Sequence, residues 1–264
     1  MPHLFSRALA AALMSLALVT AAQANDWKKI RIGVEGAYPP FSEVGPDGKL
    51  HGFDIDIAFA LCAQMQAQCT LVQQDFDGLI PALQARKFDA IIASMSITEE
   101  RKRSVAFSDK YYQTPGRLVV KAGTALQPTR EGLKGKRIGV QRSTIHDRFA
   151  TDTFTGAEIV RYGKQDDVFL DLASGRIDAA LADSIAVDVG FLKTPQGKGF
   201  QFVGPSYDDP KYFGTGAGVA MRKSDTDLQA KFNAAIAAIR ADGSFQKIAA
   251  KYFSFDVYGE APRK

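Results

Sequence analysis

Two cysteines seven residues apart are the side chains whose spacing most constrains their chemistry. Cys62 ends a helix-like run and Cys69 opens a strand-like one, which suits a short disulfide pinning a helix end to the next strand. A metal site built on the pair is the alternative, but no histidine lies nearby to complete its ligand set. The histidines are His3, His51 and His146, and neither H-E-x-x-H nor G-x-S-x-G occurs. Gly214, Gly216 and Gly218 lack the G-x-G-x-x-G spacing and precede a strand-like run, so they read as a hinge rather than a dinucleotide fingerprint. The longest basic cluster, Arg101-Lys102-Arg103, has no interleaved aromatics, which argues against a nucleic-acid partner.

The elements that must position these residues alternate between β and α. Strand-like runs fall at 29–34, 69–73, 90–93, 117–121, 137–140, 158–162, 179–182, 201–203 and 216–221. Helix-like runs fall at 54–66, 78–85, 98–105, 145–154, 165–174, 183–192, 225–242 and 244–253. This alternation predicts βαβ units, mainly parallel sheets and a binding crevice at the strands' carboxyl ends. The stretch 78–92 and the stretch 168–181 share one pattern, an apolar helix, a basic turn, Asp and a buried strand, so two similar lobes are expected. The 264 residues, 46% of them hydrophobic, can build two domains or one large one, while a mean hydropathy of −0.11 excludes a multi-span membrane protein.

Residues 1–24 read as a secretory signal peptide, with Arg7 near the start, an apolar stretch at 8–22 and Ala22-Gln23-Ala24 as the cleavage pattern. A soluble exported protein, cut after Ala24 and free of stable membrane insertion, is therefore expected. Its charge is 32 − 29 = +3 once Arg7 is removed. Export with both cysteines paired leaves no thiol nucleophile.

A set of co-linear motifs then carries a resemblance over residues 28–260. These are Glu-Gly-Ala-Tyr-Pro-Pro-Phe at 35–41, Gly-Phe-Asp-Ile-Asp at 52–56, Asp-Phe-Asp-Gly-Leu-Ile-Pro at 75–81 and Asp-Ala-Ile-Ile-Ala-Ser-Met-Ser-Ile-Thr-Glu-Glu-Arg at 89–101. Phe-Ser-Asp at 107–109, Gly-Lys-Arg-Ile-Gly-Val at 135–140 and Lys-Tyr-Phe-Ser-Phe-Asp-Val-Tyr-Gly at 251–259 complete the set. The sequence resembles the periplasmic polar-amino-acid-binding proteins of ABC importers, family 3 of the solute-binding proteins, and within them the lysine/arginine/ornithine- and histidine-binding branch. The Cys62 and Cys69 pair falls where that branch has its disulfide.

The resemblance implies a type II two-lobe α/β clamp, each lobe a sheet flanked by helices, joined by two crossing hinge strands. Lobe 1 would take 26–114 and 216–260, lobe 2 would take 117–207, and the hinges would lie near 115–117 and 208–216. Closure around a ligand is the motion such a clamp makes. The resemblance also implies that Arg101 forks onto a ligand carboxylate, with Ser96 adding an amide and hydroxyl and Ser94 a carbonyl or hydroxyl towards the α-ammonium. Thr144 offers a hydroxyl and helix N-terminal amides, and Asp183 takes the α-ammonium while also capping a helix. Tyr38 and Phe76 sandwich the ligand side chain, Glu35 meets its distal cation, and Asp54 and Gln141 join them in setting selectivity.

The sequence departs from the branch pattern at several of these positions. Glu35 replaces an aspartate, Ala93 a serine, Gln141 a leucine, Ser143 a glycine and Ile145 a threonine. These changes reshape the far end of the pocket, so arginine, lysine, ornithine, histidine and an opine are not ranked by sequence. The expected function is capture of a cationic amino acid in the periplasm by a monomer, with delivery to a membrane permease and no cofactor or metal. An opine-binding protein is the nearer alternative. The farther one is an enzyme, a cyclohexadienyl dehydratase of the same fold with Glu35 or His146 as general acid.

Overall fold

The computed structural model describes residues 26–259, so the expected signal segment lies outside the described residues. Strand β1 (Lys29–Val34) buries Ile30, Ile32 and Val34, and the chain then forms a small antiparallel sheet from β2 (Ala37–Tyr38), β3 (Ser42–Val44) and β4 (Leu50–His51). Helix α1 (Phe53–Gln64) leads into β5 (Gln68–Gln73), and α2 (Leu79–Gln84) leads into β6 (Ala90–Ile91). A single turn, α3 (Glu99–Lys102), and β7 (Ala106–Tyr112) follow, and the chain passes on into β8 (Gly116–Lys121).

The pattern then repeats as β9 (Arg137–Gln141), α4 (Ile145–Thr153), β10 (Glu158–Tyr162), α5 (Gln165–Ala173), β11 (Ala179–Asp183) and α6 (Ser184–Val187). Strand β12 (Phe200–Tyr207) and the short α7 (Pro210–Phe213) carry the chain to β13 (Ala217–Met221), then α8 (Thr226–Ala241) and α9 (Ser244–Ala249). The first five-stranded sheet runs β5-β1-β6-β13-β7 and the second β10-β9-β11-β8-β12. In each, the three βαβ strands pair in parallel and the two remaining strands pair antiparallel. Four of the five strands in each sheet therefore run one way, as expected, and the single reversed strand, β13 in the first and β8 in the second, is the one that arrives from the other sheet.

Helices cover both faces of both sheets. On the first, α1 and α8 pack Leu61, Phe232 and Ile236 over Ile32 and Val219, while Leu79, Leu83 and Phe88 fill the other face. On the second, Phe149 and Phe213 lie over Leu181 and Val140, and Phe169 and Phe191 fill the face beneath. The disulfide joins Cys62 on α1 to Cys69 on β5 with Cα atoms 6.2 Å apart. The glycine stretch serves the second passage between sheets. Gly214 has φ +69° and a Cβ there would stand 2.0 Å from the Ile97 carbonyl oxygen, while Gly216 has φ +112° and a Cβ there would stand 2.6 Å from that of Tyr112. Side chains fit neither position.

Candidate functional site

Sheet order places the site. The connection leaving β1 runs to β5 and that leaving its other neighbour, β6, runs the opposite way, so a crevice opens between them at the carboxyl ends, and β9 and β11 do the same in the second sheet. Glu35 follows β1, Phe76 follows β5, and Ser94, Ser96 and Arg101 follow β6. Gln141 ends β9, Thr144 caps α4, and Asp183 ends β11 and caps α6. With Tyr38 from β2, these side chains line one cavity of about 350 Å³. Asp54 is the expected site residue that does not line it. It lies behind the wall with no exposure, taking hydrogen bonds from Ser94 Oγ at 2.9 Å and Tyr111 Oη at 2.8 Å.

Charge is segregated within the cavity. Arg101 donates from Nη1 to the Ser96 carbonyl at 3.0 Å and from Nη2 to the Ser143 carbonyl at 3.2 Å, and its guanidinium sits 5.3 Å from the centre of the Phe76 ring. Phe76, expected against the ligand, thus also shields Arg101. Burial pulls that guanidinium down to about 10, which leaves it charged at neutral pH. Among the described residues it has no ion pair, so its charge is turned onto the cavity.

Buried carboxyls occupy the rest, Glu35 and Asp183 on the wall and Asp54 behind it. Burial lifts Glu35 to about 7, opposed by a hydrogen bond from Gln141 Nε2 at 2.5 Å and reinforced by Asp166, Asp75 and Asp54. Burial lifts Asp54 to about 7 and Asp183 to about 6. Asp183 accepts from the hydroxyl of Thr114 and, at 2.9 Å, from the Ile185 amide. Carboxyls clustered and buried in this way are poised to receive positive charge.

The hydroxyls are less free than the sequence suggested. Thr144 Oγ1 donates to the Gln141 carbonyl at 2.7 Å and accepts from the Asp147 amide at 3.1 Å, so it organises the turn between β9 and α4. Ser94 Oγ donates to Asp54, leaving its lone pairs and carbonyl for a ligand. Ser94 and Ser143 adopt φ of +53° and +62°, a left-handed backbone rare outside glycine. Ser143 stands where the branch pattern carries glycine, and the backbone explains that glycine. Thr114, in the first passage between sheets, and Asp208, at the cavity wall, carry no spacing signal and were not singled out by sequence. His146 also lines the cavity, but burial, aided by Arg101, pulls it down to about 3.

Known proteins resemble the chain in sequence and in fold. Residues 30–255 match the bacterial extracellular solute-binding proteins, family 3. An L-arginine-binding protein of Pseudomonas aeruginosa is 56% identical over 88% of this chain and 90% of its own. A lysine/arginine/ornithine-binding periplasmic protein of Escherichia coli is 46% identical over 94% of this chain and 96% of its own. Among solved structures, a Salmonella typhimurium periplasmic binding protein studied for its high arginine specificity superposes with a TM-score of 0.80 at 33% identity, over 86% of this chain and all of its own.

Proposed function

Because the chain belongs to the bacterial extracellular solute-binding proteins of family 3, we propose that it captures a cationic amino acid, arginine foremost, in the periplasm and delivers it to the permease of an ABC importer. The observation that carries the reading is one guanidinium facing buried carboxyls across a single small cavity. An α-amino acid with a positive side chain needs that arrangement: Arg101 for its carboxylate, Asp183 and the Ser94 carbonyl for its α-ammonium, and Glu35 for its distal charge. Helix N-terminal amides after Thr144 add to the carboxylate subsite.

Arginine suits the far end better than lysine. Gln141 spends its Nε2 protons on Glu35 and on the Gly163 carbonyl at 3.2 Å, so its carboxamide oxygen can accept from a ligand beside the Glu35 carboxylate. A planar guanidinium supplies several in-plane donors to two such acceptors, whereas an ammonium is a point charge. Tyr38 completes the apolar flank.

Among the described residues that line the cavity, Arg101 is the single guanidinium or ammonium group. An opine or a dehydratase substrate brings a second carboxylate, and the remaining basic side chain there, His146, is held neutral; a plain amino acid fits this charge balance better. In this reading 26–114 with 216–260 form lobe 1 and 117–207 form lobe 2. The chain acts as a monomer after removal of residues 1–24. Thermal-shift screening of ligand-stripped protein over the basic, neutral and acidic amino acids and octopine tests the proposal. Stabilisation by arginine, about 2.7 kcal/mol at a hundredfold excess over Kd, is expected; no response to any basic amino acid would refute it.

A further inference from the structure

Two ion pairs bridge the crevice outside the ligand cavity. Arg142 Nε lies 3.2 Å from Asp77 Oδ2, and Arg148 Nη1 meets Glu100 Oε2. The acids sit on connections of the first sheet, Asp77 just before α2 and Glu100 on α3. The arginines sit on the second, Arg142 in the turn after β9 and Arg148 on α4. None of the four side chains lines the cavity. Each pair is partly exposed, with side-chain exposures of 52% and 32% for Arg142 and Asp77 and 44% and 51% for Arg148 and Glu100.

Two neighbouring acids are engaged by partners on their own side. Glu99 is held by Lys102 at 2.8 Å, and Asp147, beside Arg148, is held by Arg161 at 2.8 Å. A further acid, outside the two pairs, is raised by its surroundings. Burial, then Asp167 and Glu43 on β3, raise Asp166 on α5 above its ordinary range, against Lys164.

We propose that Glu100–Arg148 and Asp77–Arg142 form an electrostatic latch that sets ligand affinity by holding the crevice closed, without touching the ligand. The inference rests on the binding function proposed above. In an open form the four side chains separate into water, so the pair energy enters only the open-to-closed equilibrium. Its loss must weaken every ligand by one common factor, because it changes the fraction of binding-competent protein rather than any ligand contact. Partly exposed pairs of this kind are worth about two- to five-fold each, and added salt screens them.

The test is calorimetry on ligand-stripped protein with arginine and with histidine, at low and high salt. Wild type is compared with Glu100→Gln, Arg142→Met, the double variant and the charge swap Glu100→Arg with Arg148→Glu. Circular dichroism checks that each variant is folded. Each single change is expected to weaken both ligands by the same two- to five-fold and to flatten the salt dependence, and the swap to restore affinity. Small-angle scattering of ligand-free protein, which needs no ligand identity, should show a larger radius of gyration for the double variant. Unchanged affinity with unchanged scattering, or losses that differ between arginine and histidine, would overturn the latch. Wild type that binds neither ligand would instead refute the binding function, and the scattering result would still decide whether the pairs hold the crevice closed.

Discussion

Replacing Glu35 by glutamine should separate the affinity of this site from its stability, with opposite signs. Burial raises the Glu35 carboxyl from an ordinary 4.5 to about 7 in the folded chain. At 1.36 kcal/mol per pH unit that difference corresponds to roughly 3 kcal/mol. The folded ligand-free protein binds this proton more tightly than the unfolded chain does. Its contribution to stability is thus fully present below about pH 4.5 and is lost as pH rises through 7. The substituted carboxamide keeps the shape and can still accept from Gln141, but it has no charge to bury. The ligand-free variant should therefore melt higher than wild type at pH 8, by up to about 10 °C at 2–4 °C per kcal/mol for a chain this size, and equal to it near pH 4.5. Binding moves the other way. A distal guanidinium buried without its counter-charge is weakened by about 2–5 kcal/mol, some thirtyfold or more, whereas free glutamine should bind Glu35→Gln no worse than wild type. Scanning calorimetry at both pH values and titration with arginine and glutamine check this. A variant that melts lower at pH 8, or that loses arginine and glutamine equally, refutes the reasoning.

Other perturbations separate the remaining parts of the site. Arg101→Met should weaken every amino-acid ligand by about a hundredfold or more in titration calorimetry, whatever its side chain, because a buried carboxylate loses its partner. Asp183→Asn should weaken arginine strongly but leave the α6 cap largely intact, so its melting temperature should stay within a few degrees of wild type. Arginine affinity in wild type should fall as pH drops from 8 to 5, by roughly tenfold or more, as protons compete with the ligand at Glu35 near 7 and Asp183 near 6. Glutamine should show a shallower fall. Removing both Cys62 and Cys69 should cost about 2 kcal/mol for so short a loop, lowering the melting temperature by several degrees with arginine affinity unchanged.

What could be read before the structure tracks what periodicity and spacing encode. The βαβ strands were legible because Ile30, Ile32 and Val34, and likewise Ile138 and Val140, are buried runs bounded by turns. Strand β7 was not, because Ser108, Asp109 and Lys110 interrupt its apolar pattern although Ser108 and Lys110 are buried. The end of β12 carries glycine, proline and serine, which read as a loop. The helix expected over 98–105 shrinks to the single turn α3, and that over 183–192 keeps regular geometry only to Val187 before a wider turn over Asp188–Leu192. At the site, motif position placed nine of the ten expected residues on the cavity. It could not show that Asp54 lies behind the wall or that the Thr144 hydroxyl is already spent, since both follow from side-chain direction rather than spacing.

The account stands most directly on one titration series: ligand-stripped wild type with arginine, with citrulline, which keeps the shape of arginine but not its distal charge, and with agmatine, which lacks the carboxylate. If Arg101 and Glu35 read the two ends of the ligand, arginine binds and each analogue is weaker by about a hundredfold or more. Citrulline or agmatine binding as tightly as arginine would contradict it.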